Sequence, residues 1–293
     1  MHHKRLKYKM TMVLIILLTI EWVSVFLADG IAKVIAWWGI WWGSFIGLII
    51  FVFYAVMVII KLIKRKKIQI PLITTMFISL VMTYPICWFF GINQMAYPAQ
   101  VNSQPGVFIR LPINSVAVVG WGGESLETNR PHAMAPMERW GYDLLVEPFS
   151  VKSKKLEDLG IYDEEVVAPI SGIIVEAYDG EDDMLPGAEN NKTMAGNHIY
   201  IQLDKTKTYL VIAHLKKGSI LVKKGQYVKE GTPIARVGNS GSSSEPHLHI
   251  HHQKQNPATT SIFFSEGLPL YFRDINGPAM PKGGEIKDII SPK

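Results

Sequence analysis

The stretch Gly238-Asn239-Ser240-Gly241-Ser242-Ser243-Ser244-Glu245-Pro246-His247-Leu248-His249-Ile250-His251 gives the C-terminal half of this chain its reading. A glycine- and serine-rich turn runs into a short segment in which histidine recurs at every second residue. In a β-strand, residues i and i+2 point to the same face, so His247 and His249 present two imidazoles side by side. Two imidazoles on a rigid strand can bind one metal ion, or one can bind it while the other faces a reacting molecule. A histidine-rich string also suits a solvated loop, so its surroundings must decide.

Those surroundings read as β. The runs 115–120, 166–168, 172–177, 198–203, 208–214, 219–222, 232–237 and 247–251 are short and rich in β-branched residues, and Gly, Pro, Asp or Asn separates most of them. Only 154–159 has helical character. The pattern predicts an all-β domain of sandwich or barrel type over 116–275, entered by a Pro-, Gln- and Asn-rich tether at 91–115 and followed by a polar C-terminal tail at 276–293. Ala168-Pro169-Ile170-Ser171-Gly172 and the run 222–235 read like the hammerhead strands of a biotinyl/lipoyl-type domain, which supports a fold class and no particular activity.

Residues 1–90 differ in kind. Three apolar segments, roughly 11–28, 35–60 and 70–90, are each near or above the ~20 residues that cross a bilayer. Trp37, Trp38, Trp41 and Trp42 crowd the second and Trp88, Phe89 and Phe90 close the third, as interfacial aromatic belts would. Lys4, Arg5, Lys7 and Lys9 precede the first span, and Lys61, Lys64, Arg65, Lys66 and Lys67 lie between the second and third. The positive-inside rule then predicts a multi-pass plasma-membrane protein with a cytoplasmic N-terminus and everything after residue 91 extracytoplasmic. The first span starts like a signal peptide, but Phe26-Leu27-Ala28 lacks a small residue three positions before a cleavage point, and two further spans follow. A retained anchor is expected. Glu21 within a span reads either as a proton- or partner-sensing site or as a carboxylate neutralised or bonded by a neighbouring helix. The spans leave room for a regulatory or oligomeric membrane partner.

The net charge of +5 reflects this topology, because residues 91–293 hold 20 Lys+Arg against 23 Asp+Glu. Nothing in that near-neutral domain invites nucleic acid. Cys87 is the single cysteine, so no disulfide forms within the chain. The outer domain must be held by its core, with a metal as the one further candidate staple.

His2 and His3 fall at the cytoplasmic terminus, while His132, His198, His214, His247, His249, His251 and His252 fall outside. A catalytic zinc site takes three protein ligands of histidine or carboxylate type and keeps one position open. His132 is followed by Asp143 in Arg139-Trp140-Gly141-Tyr142-Asp143, and His214 stands in Ala213-His214-Leu215. Taken together, these pieces resemble the lysostaphin-type (LytM-like) zinc metallopeptidases, peptidoglycan endopeptidases with a duplicated-hybrid-motif β domain, over roughly residues 115–275. The resemblance implies that His132, Asp143 and His249 hold one zinc ion per chain, with His214 and His247 as an unligated catalytic pair. In the compact family motif, the first histidine and the aspartate stand four residues apart. Here they are eleven apart with Pro136 between, which leaves open a loop role for His132 and a ligand role for His251.

Of the other histidines, His198 reads as exposed or structural and His252 as solvated. The acidic segment 179–192 either borders a substrate groove or is a solvated insertion, and 263–272 is expected to pack on the sheet. The expected function is a membrane-anchored zinc endopeptidase acting on peptidoglycan stem peptides or cross-bridges. A catalytically inactive wall-binding or hydrolase-activating module on the same fold is the alternative. A carrier or phosphotransfer domain would need a cytoplasmic location and a lysine at a tight hairpin, and Lys223-Lys224 does not supply one.

Overall fold

A computed structural model describes residues 8–99, 104–188 and 192–293, so His2, His3, Lys4, Arg5 and Lys7 lie outside the described residues. The chain forms two compact units, Met1–Gln100 and Val101–Lys293.

The first unit holds α1 (Lys9–Leu27), α2 (Ile31–Ile63) and α3 (Ile70–Met82), the last continued by a 3-10 segment, Tyr84–Phe90. All three are long and apolar enough to cross a membrane. At ~1.5 Å per residue, the 33 residues of α2 exceed the ~30 Å hydrocarbon thickness. The helices approach where side chains are small. A methyl group at Gly47 would stand 2.6 Å from Met82 Cβ, and one at Gly39 would stand 2.8 Å from Glu21 Oε1. Glu21 therefore lies against α2.

The tryptophans do not all behave as a belt. Trp37 and Trp88 are fully buried and stacked with ring centres 5.5 Å apart, and Trp41 meets Trp88 edge-on at 5.4 Å. Residues four apart on a helix share a face, which commits Trp37 and Trp41 to packing. Trp42, off that face, remains exposed. Lys33 is buried as well, its Nζ donating to Pro98 O at 2.5 Å and lying 4.3 Å from the centre of the Tyr97 ring.

The second unit is mostly β. In chain order its strands are β1 (Val107–Ile109), β2 (Ala117–Trp121), β3 (Tyr142–Leu145), β4 (Glu165–Val167), β5 (Gly172–Tyr178), β6 (Asn197–Leu203) and β7 (Tyr209–Leu215), then β8 (Tyr227–Val228), β9 (Pro233–Arg236), β10 (Leu248–Gln253), β11 (Gly267–Leu268), β12 (Leu270–Phe272), β13 (Ile275–Asn276) and β14 (Ile289–Pro292). The main sheet runs β13-β14-β2-β3-β10-β7-β6-β5-β8, with β11 also pairing β10. Two small pairs, β1–β12 and β4–β9, complete the β structure among the described residues. Ile199, Ile201, Leu210, Ile212, Leu248 and Ile250 are fully buried in one core. Each such side chain contributes roughly 1.5–3 kcal/mol by leaving water.

Several elements depart from the expectation. Within the stretch read as a tether, β1 pairs in parallel with β12, and Leu111 and Ile113 enter the core. Within the stretch read as a polar tail, β14 pairs β2 and buries Ile290. Both pairings join segments far apart in sequence, which a local pattern does not display. Residues 219–222 form no strand: the Ile220 and Leu221 amides bond the Asp179 carboxylate and the Ile234 carbonyl separately, outside any ladder. A helix, α4 (Leu126–Ala133), was not expected, and 154–159 holds only a 3-10 turn at Leu156–Asp158.

Candidate metal centre

The centre of the main sheet positions the site. On β10, odd-numbered residues face a cleft and even-numbered ones face away, Leu248 and Ile250 into the core. Antiparallel pairing puts His249 opposite Asp143 of β3 on one side and Ala213 of β7 on the other. His249 Nδ1 and Asp143 Oδ1 are 2.9 Å apart.

His132 arrives from α4, which begins with the Ser125 side chain accepting from the Thr128 amide. The connection from α4 to β3 is long enough to double back, and it brings His132 Nε2 to 3.5 Å from the same Asp143 oxygen. Eleven residues of separation therefore do not keep these two apart. One ligand atom each from His132, Asp143 and His249 lies within 4.8 Å of the others. Glu138, His249 and His251 form a second triplet whose ligand atoms also lie within 4.8 Å of one another.

β7 delivers His214 through an irregularity. Ile212 and Leu215 are three positions apart, whereas their partners Ile199 and Asn197 are two apart. The extra residue makes a bulge, and His214 sits in it at φ +60, a left-handed conformation rare for a side chain of this size. Both Ala213 and His214 then line the cleft, which strict alternation forbids. The His214 and His247 ring centres are 4.7 Å apart, and His247 Nε2 is 3.6 Å from Asp143 Oδ1.

The glycine-rich turn serves this arrangement. A Cβ at Gly238 would lie 2.4 Å from Lys216 Cα, and one at Gly241, where φ is +77, would lie 2.3 Å from the Gly196 amide nitrogen. Backbone passes backbone at both points, which only glycine permits. The turn thereby aims Ser240 O at His214 Nδ1, 2.8 Å away, while Ser240 Oγ ties Asn197 N and Leu215 O.

Hydrogen-bond partners assign the imidazole tautomers. Asn129 Nδ2 donates to the Gly123 and Gly141 carbonyls, so its Oδ1 accepts from His132 Nδ1 at 2.8 Å and leaves Nε2 with the lone pair. His214 Nδ1 donates to Ser240 O, and His247 Nδ1 donates to Glu245 O at 2.8 Å. Their Nε2 atoms are left as acceptors. His249 is the exception, since its Nε2 faces His251 Nδ1 at 2.8 Å and its Nδ1 faces Asp143.

Electrostatics follow from burial and crowding. Burial pushes the Asp143 carboxyl up, but His132, His247 and His249 outweigh it and hold that group far below the usual carboxylate range. Burial lowers His132 against the pull of Asp143, and lowers His214 strongly, helped by the neighbouring His247. For His249 burial pulls down, yet the Asp143 hydrogen bond and charge win and raise it. An ionised carboxylate ringed by buried imidazoles is the environment that a divalent cation completes.

The donor set fits zinc. Two ligands about 2.0–2.1 Å from a tetrahedral ion stand about 3.4 Å apart, close to the 2.9 and 3.5 Å separations around Asp143. The second nitrogens of His132 and His249 are both engaged by protein atoms, as metal-bound imidazoles require.

Other expected residues fall elsewhere. Of its two expected roles His198 takes the structural one: it is buried, stacks on Tyr200 with ring centres 4.3 Å apart and donates from Nδ1 to Gly196 O. His252 is not solvated. It is 1% exposed on the core side of β10, with Nε2 at 2.6 Å from Thr208 Oγ1, and burial depresses its pKa to about 4. No described residue of 179–192 lines the cleft; Asp179 and Asp183 instead accept from the amides of Gly218 and Asn239. Within 263–272, Leu268, Leu270 and Phe272 pack on the sheet, while Ser265 lines the cleft. Sequence reasoning missed Asn129, Glu138, Ser240 and Gln253. Ser125 preceding Glu127 and Thr128 was a capping signal for α4, and Gln253 extends the i, i+2 series of β10.

Residues 157–260 match peptidase family M23. That match spans His214, His247 and His249 and stops short of His132 and Asp143, which geometry alone adds. Among solved structures, the catalytic domain of the antimicrobial peptidase lysostaphin from Staphylococcus simulans is 24% identical, over 52% of this chain and 86% of that one, at TM-score 0.32. A zinc-containing peptidase from Vibrio cholerae is 22% identical over 52% and 36% of the two chains at TM-score 0.27. The deep-sea M23 metalloprotease pseudoalterin is 15% identical over 61% and 85% at TM-score 0.36. This chain thus spans little more than a third of the Vibrio protein.

Proposed function

Residues 157–260 match peptidase family M23, and on that premise we propose a membrane-anchored zinc endopeptidase that hydrolyses peptide bonds in bacterial peptidoglycan. The observation that carries the reading is the convergence of five side chains on one point with complementary free nitrogens. His132 Nε2, Asp143 Oδ1 and His249 Nδ1 would hold one zinc ion. When bound, zinc supplies polarisation of the scissile carbonyl and acidification of a water molecule.

The remaining steps belong to the chain. His214 and His247 are held through Nδ1 by the Ser240 and Glu245 carbonyls, each with Nε2 toward the cleft, and burial keeps the His214 ring neutral. One takes the proton of the attacking water and returns a proton to the leaving amine. The other takes a proton at Nε2 from solvent in the cleft before attack and donates it to the developing oxyanion. Such proton transfer contributes roughly 10²–10⁴-fold to rate, and a placed oxyanion donor roughly 10²–10³-fold. His214 is buried and the His247 side chain is only 13% exposed, which keeps most bulk water out of this exchange.

Substrate class and location rest on the motif resemblance and on charge. With Lys9 and the 61–67 cluster cytoplasmic, the second unit lies outside the plasma membrane, beside the wall. The test uses the full chain in detergent: zinc content, and release of new amines from insoluble peptidoglycan, for wild type and His249→Ala. About one zinc per chain with cleavage that the substitution abolishes is the expected result. Zinc without cleavage would favour a wall-binding module on this fold, and neither would remove the reading.

A further inference from the structure

We propose that His251 and Gln253 are positioning residues that fix the ring of His249 and commit its Nδ1 lone pair to the metal. This rests on the reading of His249 as a metal ligand. The three side chains occupy i, i+2 and i+4 on the cleft face of β10. The direction of every proton follows from the far end. Gln253 Nε2 lies 2.7 Å from Gln255 O, and a carbonyl only accepts, so that end of the amide is its nitrogen. Gln253 Oε1 then faces His251 Nε2 at 3.1 Å, which places the His251 proton on Nε2. A neutral imidazole carries one proton, so His251 Nδ1 is an acceptor. Its partner at 2.8 Å, His249 Nε2, is the donor. The only nitrogen of His249 left for a cation is Nδ1, on the Asp143 side.

Both supporting side chains are buried, His251 at 5% exposure and Gln253 at 2%, so water does not substitute for either. The same proton direction settles the competing triplet. A cation held by Glu138, His249 and His251 would have to occupy the place of the His249 Nε2 proton, so the relay assigns that position to hydrogen.

The experiment uses the full chain in detergent with zinc(II) alone as probe. Zinc affinity is measured by chelator competition for wild type, His251→Phe and His251→Gln, and histidine tautomers are read by long-range ¹⁵N–¹H NMR on zinc-treated wild type. Phenylalanine fills the space without an acceptor and should weaken zinc binding about 10–100-fold, the usual cost of losing such a partner. Glutamine keeps a carbonyl acceptor and should restore most of the loss. The NMR should place protons on Nε2 of both His249 and His251. Unchanged affinity in His251→Phe, equal weakness in both variants, a proton on His251 Nδ1, or two zinc ions per wild-type chain would each overturn the inference. If His251→Phe does not fold, the wild-type tautomers decide by themselves. Absence of zinc from wild type would sink the proposed function, while the tautomers in that same sample would still test the proton order.

Discussion

Replacing Gly241 by alanine isolates what the glycine-rich turn does. At φ +77 the new side chain adopts a left-handed conformation, which costs about 1–2 kcal/mol. Its Cβ would also stand 2.3 Å from Gly196 N, 2.6 Å from Gly196 Cα and 2.7 Å from Met194 O. All three are backbone atoms, so no rotamer change relieves the contact, and overpacking of this kind adds about 1–3 kcal/mol. The sum is about 2–5 kcal/mol. Gly225→Ala is the matched control, because φ there is +85 and nothing lies within 4 Å of the added methyl. Both substitutions restrict the unfolded chain by the same ~0.4–1 kcal/mol, which cancels in the comparison. The difference between the two variants is then the collision alone. For a unit of this size, with about 2–4 °C per kcal/mol, it amounts to roughly 2–12 °C in melting temperature. Calorimetry of the zinc-saturated full chain measures it. Amine release from peptidoglycan provides a second readout, since a displaced Ser240 carbonyl lets His214 turn, so Gly241→Ala should lose more activity than Gly225→Ala. Equal melting temperatures for the two variants would refute the close backbone crossing.

Other substitutions separate holding the metal from using it. His132→Ala and Asp143→Ala should each abolish stoichiometric zinc, read by metal analysis after gel filtration. His214→Ala and His247→Ala should retain zinc and lose roughly 10²–10⁴-fold in cleavage rate. Asn129→Leu removes the acceptor of His132 Nδ1 and should weaken zinc about 10–100-fold in chelator competition. His252 gives a pH signature. Its folded pKa of about 4 lies below the unfolded value of about 6.5, so the unfolded chain binds the extra proton between these limits. Its contribution is intact above pH ~6.5 and is lost as pH falls toward 4, by about 3 kcal/mol. His252→Gln should therefore flatten the fall of melting temperature across that window, and an unchanged slope would remove His252 as its source.

How much of this was legible beforehand varies with the range of the interaction. The alternation in 247–251 and the long apolar runs of residues 11–90 are local signals, and they located β10 and the three apolar helices. Asp143 and His249 were candidate ligands through the family resemblance, but their direct opposition depends on strand register, which no local pattern states. The strand at 107–109 pairs with one more than 150 residues away, and 289–292 joins the main sheet through β2 at a similar separation, so a Pro-rich or polar flank concealed them. His252 was misplaced because alternation tells which face a residue takes and not whether that face is wet. The sheet here is covered on both sides of β10. Bulges are equally hidden: nothing in Ala213-His214-Leu215 announces an extra residue, yet it turns His214 into the cleft. Pro131 masked α4, since a proline inside a short polar run normally argues against a helix.

The division of β10 into two rows has a consequence for how this sequence can vary. His247, His249, His251 and Gln253 belong to one row and Leu248, Ile250 and His252 to the other, so chemistry and folding share a single strand in alternate letters. Substitution can edit either row alone. Insertion or deletion of one residue between 247 and 253 exchanges them, delivering aliphatic side chains to the cleft and imidazoles to the core. Length along this segment is thus as tightly constrained as the histidines themselves.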